Sequence, residues 1–148
     1  MRVDFMSIRK IISTNIVTVD HNDTLSKVKG VFDQHSFHHL LVVDGTKLVG
    51  LVSDRDLLRT VSPFVGTMVE SYRDTATLDN KVSEIMSTQL ITLMPDADIY
   101  AAVDLFNQHR ISCIPIVDEE FNAVGILSWR DIMKALAIVH RQKTKPKD

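Results

Sequence analysis

The chain repeats itself. Displaced by 74 positions, residues 11–44 fall on 85–118 with nine identities in 34 pairs. After a one-residue insertion near Phe121, residues 45–56 fall on 120–131 with five more in twelve. The pairs include Ser13/Ser87, Thr14/Thr88, Thr18/Thr92, Phe32/Phe106, His35/His109, Gly50/Gly125, Ser53/Ser128, Arg55/Arg130 and Asp56/Asp131. A repeat of this period marks a duplicated supersecondary unit, and one copy alone is too small to bury a comfortable core. The 148 residues therefore fold as two like halves rather than as one irregular domain.

Each copy predicts the same order of elements. Residues 15–19 and 89–93 are short β-prone runs. Leu25, Val28 and Phe32, and in the other copy Ile99, Ala102, Val103 and Phe106, recur at helical spacing, with Asp23 and Asp96 as N-cap candidates. Two strands follow: 39–43 and 48–52 around Asp44-Gly45-Thr46-Lys47, and 113–117 and 123–127 around a longer turn at 118–122. Helices starting near Asp54 and Trp129 close the copies. Val82, Ile85 and Met86 match Ile8, Ile11 and Ile12, so each copy opens with a short lead-in helix. The expected fold is α/β of the mixed α+β kind: two β-α-β-β-α units packed sheet to sheet with pseudo-two-fold symmetry. The expected boundaries are 6–60 and 80–138, a linker at 61–79 and a basic tail at 139–148, read as a solvated helix end.

Composition excludes more than it suggests. Seventeen basic and 19 acidic residues give a net charge of −2, with 45% apolar and 24% charged residues, so nothing points to nucleic acid or a membrane surface. The longest run without a charged residue, 85–95, is too short for a membrane span of about 20 residues. The first residues carry scattered charges and no apolar core of a secretory signal. Cys113 is the single cysteine, which precludes an intramolecular disulfide and a Cys-rich zinc site and predicts a cytoplasmic location. His35, His38 and His39 form H-x-x-H-H across a loop and strand start, and no metal is expected there. No glycine-rich phosphate loop, zinc-protease helix or nucleophile elbow occurs, so no catalysis is expected.

The best-matched block is GLVSDRD (residues 50–56) against GILSWRD (125–131), a strand running into a helix start. Two readings of it stand side by side. Ser53 and Ser128 are placed to be N-caps, with Asp56 and Asp131 in the first helical turn. Equally, serine hydroxyl, free N–H groups, Arg55 or Arg130, and an aspartate able to hold a ribose diol suit a nucleotide phosphate.

The duplicated unit with G-h-h-S-x-R-D, together with the recurring S-T-x-h-h-T-h at residues 13–19 and 87–93, resembles the cystathionine-β-synthase-type (CBS) domain, and two copies resemble its tandem pair. The resemblance implies a cleft binding an adenine nucleotide: AMP, ADP, ATP or S-adenosylmethionine. One site would use Ser128, Arg130 and Asp131 with Val17, Thr18, Phe37 and His38. The other would use Ser53, Arg55 and Asp56 with Ile91, Thr92, Ile111 and Ser112. Cys113 to Pro115 follow the family pattern, whereas the first copy has His39 and Leu41 at the positions of Cys113 and Pro115, and Asp54 where the second has Trp129; His39, Cys113 and Pro115 are also expected to line the nucleotide sites. Unequal occupancy is expected. The implied protein is a non-catalytic sensor and homodimer, joined through the Leu57-Leu58 and Ile132-Met133-Leu136 helix faces. It would act in trans on an enzyme or transporter, since no output domain is expected. The alternative is a structural dimerisation module whose nucleotide sites have decayed.

Overall fold

The computed structural model describes residues 6–146. The fold is α+β and divides into two compact units. One comprises residues 17–90; the other joins the segment up to Ile16 to everything from Ile91 onward.

In the first-copy unit, β1 (Thr18–Asp20) leads to α1 (Leu25–Gln34), β2 (His39–Asp44), β3 (Lys47–Ser53) and α2 (Asp54–Thr60). The sheet order is β1-β2-β3, parallel between the first two strands and antiparallel between the last two. Gly45 takes a positive φ in the hairpin turn, as expected of glycine there. Leu25 and Val28 of α1, Val19, Leu40, Val42, Val52 and Leu57 form the buried core. The linker contributes α3 (Tyr72–Ala76) and is more built than a loop: Asp74 accepts hydrogen bonds from Ser62 Oγ at 2.6 Å and from the Ser71 N–H at 2.7 Å.

The second-copy unit has α4 (Ile99–Gln108), an antiparallel β4 (Cys113–Val117) and β5 (Ala123–Ser128), and α5 (Trp129–Thr144). The strand expected at 89–93 shrinks to one parallel bridge, Leu93 to Ile116. Two prolines explain the loss. In the first copy the His21 N–H extends the ladder to the Val43 carbonyl at 3.0 Å, but Pro95 stands at His21's position and has no N–H. Pro115, at the position of Leu41, removes a second donor. The basic segment expected to be a solvated end is helical to Thr144, which makes α5 more than twice as long as α2.

The lead-ins are single 3-10 turns, Ile8–Lys10 and Val82–Glu84, and each belongs to the other copy's unit. Ser13 pairs with Ile126 beside β5, and Ser87 pairs with Leu51 in β3. Ile8 is buried with Ile99, Ile114 and Ile132, and Val82 with Val19, Leu25 and Leu40. The repeated glycines serve this contact. A Cβ on Gly125 would stand 3.1 Å from the Ser13 carbonyl oxygen, and one on Gly50 would stand 2.8 Å from Met86 Cγ.

Two local expectations are corrected. The N-caps of α1 and α4 are Thr24 and Asp98, not Asp23 and Asp96. Asp23 instead accepts the Asp20 N–H at 2.8 Å and pairs with Lys27 at 2.9 Å. Burial raises its pKa, but Lys27 and the backbone donor outweigh that and hold it below the ordinary carboxylate value. Of the helix faces expected to be apolar and exposed, Leu57 and Ile132 are buried in their own units, while Leu58, Met133 and Leu136 are exposed.

Candidate functional site

Strand pairing assembles the same turn in both units. The last residue of the hairpin lies opposite the first residue of the preceding strand: Ser53 opposite His39, and Ser128 opposite Cys113. The next N–H closes back on the residue before that strand. Asp54 donates to the His38 carbonyl at 3.0 Å, and Trp129 donates to the Ser112 carbonyl at 3.3 Å.

At both turns serine and aspartate form a reciprocal capping box. The Asp56 N–H donates to Ser53 Oγ at 3.0 Å, while the Ser53 N–H donates to Asp56 Oδ2 at 2.9 Å. The Asp131 N–H reaches Ser128 Oγ at 3.2 Å, and the Ser128 N–H reaches Asp131 Oδ2 at 2.8 Å. Two donors of the helix start are satisfied each time. Ser71 and Asp74 make the same kind of box in the linker, so S-x-x-D by itself is only a way to start a helix. The arginines set the motif apart. Arg55 and Arg130 are exposed and make no hydrogen bond or ion pair among the described residues. The Oδ1 atoms of Asp56 and Asp131 likewise accept no hydrogen bond among them. Each turn therefore carries an arginine side chain and a carboxylate oxygen that no described residue engages.

The other candidates are distributed around these turns. Thr18 is exposed at the start of β1, with partly buried Val17 packed against its unit's core. Ile91, Thr92 and Ile111 are partly buried, and Ser112 is exposed. Phe37 is held by Phe32, edge-on at 6.3 Å, and by the stacked ring of His35 at 4.7 Å. His38 Nδ1 lies 2.7 Å from Asp54 Oδ2. In the sequence Asp54 is only an extra charge beside the motif; its partner is defined by the fold, which brings the start of β2 to the start of α2.

His39 is half-buried, and burial pushes its pKa below the ordinary value of 6.5. Asp54 and Asp56 oppose that shift without cancelling it, while His38 and Arg55 add to it. Cys113 and Pro115 are buried in β4, and burial drives the Cys113 thiol up to about 12, so it is a neutral packing residue at physiological pH. Asp20, His21 and Asp44 bring potential ligand atoms within 4.8 Å of one another, the one such cluster among the described residues. His21 and Asp44 already approach to 3.5 Å. No helix among the described residues is long and apolar enough to cross a membrane.

Two copies of one α+β unit, each ending in the same capped strand-to-helix turn, define a tandem-repeat domain pair. The CBS domain family model matches residues 8–63 and 82–138, and the chain belongs to that family. It is 34% identical to the CBS domain-containing protein YhcV of Bacillus subtilis, over 85% of this chain and 82% of that one. Other relatives are longer, and the chain spans 36% and 22% of two of them. Among solved structures, the CBS domain of a CBS domain-containing membrane protein from Sphaerobacter thermophilus is similar, with TM-score 0.76 and 28% identity over 89% of this chain and 88% of that one. The CBS domain pair of protein MJ0100, crystallised with 5′-methylthioadenosine and S-adenosylmethionine, shares the fold with TM-score 0.73 and 23% identity over 90% and 97%.

Proposed function

We propose that the chain is a non-catalytic sensor of an adenine nucleotide, AMP, ADP, ATP or S-adenosylmethionine, acting in the cytoplasm on an enzyme or transporter in trans. The observation that carries this reading is the duplicated turn, with an unengaged arginine and aspartate oxygen at the same place in both copies. The arginine suits phosphate or carboxylate, and the aspartate suits a ribose diol. The adenosine ligands of the MJ0100 pair support the ligand class. The residues proposed to hold base and sugar are Val17, Thr18, Phe37, His38, Ile91, Thr92, Ile111 and Ser112 beside the two motifs. Exposed Leu58, Trp129, Met133 and Leu136 support a homodimer. Ligand binding would shift the balance between arrangements of the protein, and the partner would read the shift.

A thermal-shift screen with AMP, ADP, ATP and S-adenosylmethionine tests this. A ligand at a hundred times its Kd stabilises the native state by about 2.7 kcal/mol. Combined Asp56→Ala and Asp131→Ala substitutions should abolish that gain. The structural dimerisation module remains the second reading, because both serine–aspartate boxes are complete as helix caps. It is the reading that stands if no adenine ligand stabilises the wild type.

A further inference from the structure

We infer that Asp20, His21 and Asp44 form a binding site for a divalent cation of the zinc type, one per chain. The site is separate from the adenine-ligand motifs. It lies at the other end of β2 from the first copy's motif: His39 pairs with Ser53, whereas Asp44 closes the hairpin opposite Lys47.

Exposed carboxylates alone are an ordinary surface feature, but here an imidazole nitrogen stands among them. Asp20 and Asp44 are the last residues of β1 and β2, and His21 follows Asp20 directly. The ladder fixes their backbones: Asp20 pairs with Val43, and the His21 N–H donates to the Val43 carbonyl at 3.0 Å. Asp20 Oδ1 accepts the Asn22 N–H at 2.8 Å, which orients that carboxylate. His21 Nε2 lies 3.3 Å from Asn22 Nδ2, a group that only donates, so in the neutral ring Nε2 carries the lone pair. The same nitrogen faces Asp44 Oδ1 at 3.5 Å, beyond the usual range of an N–H···O hydrogen bond. Two acceptors facing each other repel unless a cation stands between them. The spacing fits one, because ligand atoms held about 2.0–2.2 Å from a tetrahedral metal stand about 3.3–3.6 Å apart. A carboxylate oxygen of Asp20 joins them, all three ligand atoms lying within 4.8 Å of one another. The ion would take the place of the Asn22 amide on Nε2. Imidazole favours zinc and its neighbours over magnesium or calcium, and two carboxylates balance a divalent charge. Asp44 is exposed, which leaves a fourth position to water. In the second copy Met94, Pro95 and Asp118 occupy these three positions, so the donor set exists once per chain.

The test is calorimetric titration of the metal-stripped full chain with zinc chloride, paired with visible absorption on adding cobalt chloride. Tetrahedral cobalt absorbs far more strongly than the hydrated ion. We expect one zinc per chain, the tetrahedral cobalt spectrum, and a rise in Tm with zinc that magnesium does not reproduce. His21→Ala and Asp44→Asn should each weaken zinc by more than about tenfold, because losing even an outer partner of a metal ligand costs about 10–100-fold. His109→Ala removes an exposed histidine of the second copy and should leave zinc binding unchanged. Circular dichroism of the metal-free variants should match the wild type, so that lost binding reports a lost ligand and not a lost fold. Zinc held by both variants as tightly as by the wild type, or no zinc bound by the wild type, overturns the inference and leaves the sensor reading untouched.

Discussion

His39 shows how one residue carries a local cost that depends on pH. Its folded pKa lies below the 6.5 of an ordinary histidine because burial disfavours the imidazolium. Above pH 6.5 the residue is neutral in both folded and unfolded chains, and it leaves stability unchanged. As pH falls through 6.5 the unfolded chain takes up a proton that the folded chain refuses, so stability declines until the folded value is also passed. Urea midpoints between pH 7.5 and 5.5 should therefore fall in the wild type and fall less in His39→Leu. Identical pH slopes in the two proteins would contradict the assignment. The serine, arginine and aspartate of the motif were legible because they recur. The caps were not, because Asp23 and Thr24 are adjacent and both fit a helix start, and only the turn after β1 decides which one caps α1. Asp98 holds the corresponding position in α4, yet its side chain makes no capping hydrogen bond and its buried Oδ1 has no partner among the described residues.

At the scale of elements, the glycine of each motif is explained by the segment lying across it. Gly50 approaches Met86, a flexible side chain, whereas Gly125 approaches a backbone carbonyl that cannot turn aside. Gly50→Ala should destabilise by about 1–3 kcal/mol through overpacking. In a double-mutant cycle with Met86→Ala, part of that loss should disappear, with a coupling of at least about 0.5 kcal/mol. Strict additivity in chemical denaturation would show that the two do not meet. The repeat made the element order readable throughout, because apolar spacing and turn residues are local signals. It overestimated the strand at 89–93, since alignment with the first copy conceals what Pro95 and Pro115 remove from the ladder. It was also silent on which copy each lead-in covers. Equivalent patterns show that Ile8 and Val82 do the same job, and nothing in a period says for whom.

At the scale of the whole chain, the natural unit of folding differs from the unit of repetition. The fragment 1–63 has the first copy's strands and helices but lacks Val82, Ile85 and Met86, which pack with their core. The fragment 17–90 has all of them. We predict a cooperative urea transition, followed by circular dichroism, for 17–90 and none for 1–63. Equal cooperativity in both would contradict the exchange of lead-ins. The exchange has one more effect. The second-copy unit is discontinuous, so the stretch from Val17 to Leu90 is, from its point of view, a loop whose ends must meet. Closing a flexible loop of that length costs about 4 kcal/mol in chain entropy beyond a constant. A folded insert holds its own ends in place and removes most of that cost, whereas a melted one restores it. The stability of each half is thus tied to the other by connectivity alone, so a ligand that tightens the inserted unit also protects the unit into which it is inserted.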